Sequence, residues 1–121
     1  MEDKPIILYI EFKKDDQLSF NASNLNRLKN ISQHFQLLDL DNYSSKKLIQ
    51  AIKPLVIQDQ KKIILFNCEL ANAKLNSLTT MLMELKQEKN NTYYLIGSHH
   101  FLEKAFSTIK LTSIEKLEDF I

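Results

Sequence analysis

The sequence predicts a three-layer α/β domain: a doubly wound, mainly parallel sheet of four to five strands in the order 2-1-3-4-5. Three observations carry that expectation. Apolar runs alternate with helical patterns along the whole chain. The strongest runs are nearly continuous in apolar residues, as strands buried on both faces are. The chain has 121 residues, enough for one core and too few for two, so residues 1–121 are expected to form a single domain. Right-handed crossovers with helices on both faces then give the strand order.

The first run, "IILYIEF" (6–12), reads as a strand. The following "FKKDDQLSF" fits either a loop or a hairpin turning at Lys13 to Asp16, so residues 6–20 are open between strand plus loop and hairpin. Residues 23–35 place Leu25, Leu28, Ile31 and Phe35 on one helical face, capped by Ser23 or Asn21. "FQLLDLD" (35–41) alternates partly and carries Asp39 and Asp41, which puts it at a sheet edge. Residues 44–53 form a helix from "SSKK", with Leu48 and Ile52 four apart, and Pro54 is expected to kink or end it. A short second turn through "PLVIQDQ" would then begin on that proline.

"KIILFNC" (62–68) is the third strand. The cleanest helical pattern covers 73–89, with Leu75, Leu78, Leu82 and Leu85 spaced three, four and three. "TYYLIGS" (92–98) is the fourth strand, and residues 100–110 put Leu102, Ala105, Phe106 and Ile109 on one stripe. A last short run, "KLEDFI" (116–121), is expected as a fifth strand at the other edge.

Composition narrows the function. Sixteen basic side chains face fifteen acidic ones, and no run of Lys or Arg exceeds two. Nucleic-acid binding draws most of its affinity from a clustered basic face, which this chain lacks, so no nucleic-acid partner is expected. No window approaches the ~18 apolar residues of a membrane span. The start of the chain lacks the apolar core and cleavage site of a signal peptide. The single cysteine, Cys68, excludes an internal disulfide and suits a reducing compartment, so the expected location is cytoplasmic. One glycine and no GxxxxGK[ST] or GxGxxG make nucleotide-cradling loops improbable, and no cofactor is expected. Ten asparagines can supply left-handed turn positions instead.

In a sheet of this order, ligands bind at the carboxyl ends of the strands, beside the point where strand order reverses. That edge would collect Glu11, Asn67, Cys68, Glu69, Ser98, His99 and His100 into a candidate pocket. Cys68 with either histidine would make a nucleophile and base, though no third orienting group is specified. Cys68, Glu69 and the histidines include zinc-ligand types, but no paired metal-ligand spacing exists, so no metal is expected. The structural reading of "GSHH" is simpler. Gly97 relieves the turn, Ser98 caps the next helix, and His99 and His100 form its solvated first turn.

"PIILYIE", "FQLLDLDNYSSKKLIQAI", "KKIILFN" and "YYLIGS" resemble, in order, the strands and second helix of bacterial response-regulator receiver domains. The resemblance covers most of the chain and implies a flavodoxin-like fold. Its chemistry departs at the switch. Receivers carry an acidic pair after strand 1, where this chain has Glu11 and Phe12, and a phosphoacceptor aspartate at the end of strand 3, where it has Asn67. Ser98 fits the family's hydroxyl, and the lysine after strand 5 has no counterpart. A neutral amide cannot become an acyl phosphate, and one carboxylate is too few for the usual Mg²⁺ site. The resemblance therefore implies a pseudo-receiver that cannot be phosphorylated.

Residues 43–121 also resemble STAS domains of the anti-sigma-factor antagonist type, through "KKIILFNCELANAKLNSLTTMLMELKQ" and "IKLTSIEKLEDF". The family's phosphorylatable hydroxyl falls on Asn76, with Lys74 and Ser77 in place of the loop's acid and glycine. Both families act by docking onto other proteins. The expected function is thus a non-catalytic regulatory or assembly module, bacterial and signalling in type, that binds a protein partner or a second copy of itself. Met81 and Met83 are its candidate docking surface, since flexible methionines suit adaptable contacts. Core packing is the more natural fate of Met81, while Met83 lies further from the leucine stripe. The alternative is a small enzyme or ligand-binding protein using Cys68, Ser98, His99 and His100.

Overall fold

The computed structural model describes residues 5–12, 30, 35–57, 62–68, 73–88, 91–113 and 116. Five parallel strands form one sheet in the order β2-β1-β3-β4-β5. They are β1 (Ile6–Phe12), β2 (Gln36–Asp41), β3 (Lys62–Cys68), β4 (Asn91–Gly97) and β5 (Lys110–Thr112). Among the described residues three helices lie between them: α1 (Lys46–Val56), α2 (Leu78–Lys86) and α3 (His100–Ala105). The α/β class, the strand order and the edge position of β2 are as the sequence predicts. Among the described residues, no helix is long and apolar enough to cross a membrane.

The period-2 alternation of strands sorts the apolar residues into two faces. One face carries Leu8, Ile10, Phe12, Ile64, Phe66, Cys68 and Leu95, all buried in one cluster. Ile49 and Val56 of α1, Leu78, Met81, Leu82 and Leu85 of α2, and Leu102 of α3 join that cluster, so the three helices cover this face. The opposite face buries Ile7, Tyr9 and Leu65, with Phe35, Leu37, Ile63, Tyr94 and Ile96 packed against them. Central β1 and β3 are therefore apolar at nearly every position because both their faces lose water.

Several expected boundaries shift, each for a local reason. The helix of the leucine stripe starts at Leu78 and not at residue 73, because Asn76 adopts a left-handed φ of 50° that a helix cannot continue through. Leu75 still packs against the core, from the loop. α1 runs through Pro54 to Val56, so the proline does not end the helix. Only one helical hydrogen bond is lost at a proline, and the full burial of Val56 holds the last turn down.

α3 ends at Ala105, short of residue 110, where Phe106 leaves helical geometry. Phe106 and Ile109 keep their core contacts from a turn closed by Ile109 N–H to the Phe106 carbonyl, 2.9 Å. The shorter helix frees Lys110–Thr112 to pair with β4 as the fifth strand, earlier than expected. Of the segment 116–121 read as that strand, Lys116 is helical and the rest lies outside the described residues. The helix expected at 23–35 and the loop or hairpin at 13–20 also lie outside them, apart from helical Asn30 and from Phe35.

At the amino edge, Lys62 is buried with its ammonium 2.9 Å from Glu88. A buried lysine requires such a partner, since desolvating an unpaired ammonium is prohibitive. Tyr93 closes this edge by donating to the Leu85 carbonyl at 2.8 Å.

Candidate functional site

The carboxyl ends of β1, β3 and β4 form two register rows. Glu11 pairs with Asn67, and Asn67 with Ile96; one step on, Phe12 pairs with Cys68, and Cys68 with Gly97. Adjacent rows face opposite sides of the sheet. The candidate pocket is thereby split. Glu11 and Asn67 lie with Tyr9 on the second face, and Cys68 lies with Phe12 beneath the helices.

On the second face Asn67 is buried, and its amide donates to the Tyr9 hydroxyl at 2.8 Å. That hydroxyl in turn donates to Glu11 Oε1 at 3.1 Å. Burial pushes the Tyr9 phenol well up; the Asn67 bond opposes this, and the Glu11 carboxylate adds to it. The chain Asn67–Tyr9–Glu11 keeps a neutral phenol and holds the Asn67 amide toward the fold.

On the helix-covered face the histidine is the main surprise. His99, not Ser98, is the N-cap of α3. Its backbone is extended (φ −157°, ψ 120°), and its Nδ1 accepts from Leu102 N–H at 3.2 Å. Its Nε2 lies 2.8 Å from the Ala73 carbonyl, and its ring packs on Phe12 at 5.3 Å between centroids. A nitrogen that accepts an amide proton and another that meets a carbonyl define the neutral tautomer protonated on Nε2. His99 is 3% exposed, so the expectation of a solvated residue there is corrected. The reason is phase: the cap of α3 falls at His99, one residue later than the capping argument assumed, so that His99 turns inward and His100 opens the helix.

Ser98 is exposed, with its N–H on the Cys68 carbonyl at 3.2 Å, and His100 is exposed in the first turn of α3. Cys68 is fully buried. With both ring nitrogens of His99 engaged, neither is left to deprotonate a thiol. Glu69 lies outside the described residues. Among the described residues, no group of three His, Cys, Asp or Glu side chains is placed to hold a metal ion.

Two asparagines organise the same edge: Asn42, which the sequence did not single out, and Asn76, which it named only as the counterpart of a phosphorylatable hydroxyl. Asn42, fully buried after β2, donates to the Lys74 carbonyl at 2.7 Å, and its N–H meets the Glu11 carbonyl at 3.2 Å. Asn76 donates back to the Asn42 carbonyl at 2.8 Å. The stretch before α2 is therefore tied to β2 by Asn42 and to β4 by His99. The one signal for this in the sequence is asparagine abundance beside a scarcity of glycine.

A cleft of about 660 Å³ separates α1 from α2, walled by Lys46, Gln50, Lys53, Ser77 and Thr80. Met81 is buried at its floor and Met83 is exposed, so the two methionines do not share a surface. No family model, no curated protein and no solved structure matches this chain.

Proposed function

We propose that the protein is a non-catalytic regulatory or assembly module that docks onto a protein partner, built on a receiver-like frame that cannot accept a phosphoryl group. The observation that carries this reading is the engagement of the carboxyl edge in the fold itself. Asn67, at the end of β3, gives its amide to Tyr9, and His99 gives both ring nitrogens to backbone groups. Groups held in this way position loops and do not meet a substrate. The alternative of a small enzyme or ligand-binding protein loses His99 as a free base beside Cys68.

Exposed large apolar side chains supply the docking side of the reading. Met83 on α2, Phe101 on α3 and Leu111 on β5 are exposed, Leu111 at 64%. Leu111 sits on a three-residue strand at the end of the described sheet, a position that natural proteins ordinarily keep polar or covered.

The test has two arms. Beryllofluoride with Mg²⁺ is expected to leave the ¹⁵N–¹H spectrum unchanged, and selective shifts around Asn67 and Ser98 would overturn the phosphorylation-incompetent reading. Leu111→Lys and Met83→Lys are expected to abolish a complex captured by cross-linking on the wild type, including a homodimer. A complex indifferent to both changes would remove the proposed surface.

A further inference from the structure

Asn42, Asn67 and His99 of the sheet edge are engaged within the chain, whereas the polar lining of the α1–α2 cleft is engaged only in part. Lys53 bridges to Glu84 of α2 at 2.6 Å, and Asn76 donates to the Asn42 carbonyl. Lys46 makes no ion pair among the described residues. The hydroxyl of Ser77, at the start of α2, makes no capping bond. Among the described residues no carboxylate lines the cleft, and its floor is the buried pair Ile49 and Met81. At about 660 Å³ the space falls within the roughly 300–1,000 Å³ of small-molecule sites.

Lys46 is also misplaced for stability. It opens α1, a helix with no acidic residue in its first turn, where a cation is disfavoured by the helix dipole. A local choice that works against the fold is a mark of a functional position. The chemistry follows from the donors. A lysine ammonium is a point charge, and separate hydroxyl donors beside it suit an anion presenting several oxygens more than a planar carboxylate.

We propose that the α1–α2 cleft binds a small organic phosphate ester, its phosphoryl oxygens met by Lys46, Ser77 and Thr80 and its apolar body set into the cleft above Ile49. The site is independent of the docking surface and of the receiver-like edge.

Phenyl phosphate is the probe, titrated into the ¹⁵N-labelled full chain alongside inorganic phosphate and phenol. Saturable amide shifts confined to residues 46–53 and 76–81 are expected with phenyl phosphate. The affinity should be on the order of millimolar, as its eleven or so non-hydrogen atoms allow. Inorganic phosphate should bind about tenfold more weakly and phenol should give no saturable shift, since each keeps one half of the recognition. Lys46→Gln should weaken phenyl phosphate about tenfold while leaving the rest of the spectrum in place. Lys104→Gln, the same charge change on α3, should leave the affinity unaltered. Shifts spread over lysines throughout the chain, equal binding of phenol, or equal losses in the two lysine variants would each overturn the site.

Discussion

Gly97 and His99 sit two residues apart and fix the same corner in different ways. Gly97 has φ +96°, and a Cβ built there would lie 1.8 Å from the Cys68 carbonyl oxygen. Neither the conformation nor the space admits a side chain, so β3 and β4 must shift apart to accept one. Gly97→Ala is expected to destabilise by at least about 2 kcal/mol, read as a lower denaturant midpoint; an unchanged midpoint would contradict the close approach. His99→Ala removes a helix cap and leaves the Ala73 carbonyl short of a donor, a combined loss of about 2 kcal/mol. Long-range ¹⁵N–¹H correlation should show the His99 proton on Nε2, with Nδ1 unprotonated. Cys68, fully buried, should react with thiol reagents only at the rate at which the structure opens. A thiol modified at once in the native protein would mean that the edge is not closed. The glycine was legible in the sequence because it is the only one, whereas the two histidines were not separable. Which of two adjacent residues turns inward depends on where a strand ends, and a one-residue change of phase exchanges them.

At the scale of elements, packing overrides local punctuation. Pro54 reads as a terminator, yet α1 continues because Ile49 and Val56 bury against the sheet on either side of it. The proline remains a cost to the helix. Pro54→Ala restores a donor for the Gln50 carbonyl, and part of the gain is cancelled by a more flexible unfolded chain. A net stabilisation of about 1 kcal/mol is expected from denaturant unfolding. A loss would show that Pro54 serves the tertiary structure. The opposite error occurred at α3, where an apolar stripe through Ile109 suggested five more helical residues than exist. Periodicity records which residues reach the core, and a turn can deliver Phe106 and Ile109 there as well as a helix can. Strand identity was easier to read, since β1 and β3 are buried on both faces, and β4 on one with the other half-buried, which leaves no competing pattern. The ties made by Asn42 and Asn76 had no such pattern, because they join residues more than thirty positions apart through backbone carbonyls.

Over the whole molecule, the two faces of the sheet differ in kind. The helix-covered face carries a file of rings, with Phe12, Phe66, Phe106 and Tyr93 in successive contact at centroid separations of 4.5 to 6.0 Å. The other face encloses a polar chain around Tyr9. Both faces therefore bury a phenol, and burial pushes the ionisation of Tyr9 and Tyr93 upward. A phenol whose folded pKa exceeds its unfolded value of about 10 contributes stability that is fully present below pH ~10. That contribution is lost as the pH climbs toward the folded pKa, because the unfolded chain releases a proton that the native chain retains. Each such phenol steepens the alkaline fall by about 1.4 kcal/mol per pH unit. Urea midpoints followed from pH 8 to 12 should drop more steeply above pH ~10 in the wild type than in Tyr9→Phe. The variant should be less stable at pH 8 by about 1–3 kcal/mol, since it leaves the buried Asn67 amide without its acceptor. The two curves should then converge as the pH rises. Parallel curves across the alkaline range would mean that Tyr9 ionises as readily in the fold as in water, against its burial and the neighbouring Glu11 carboxylate.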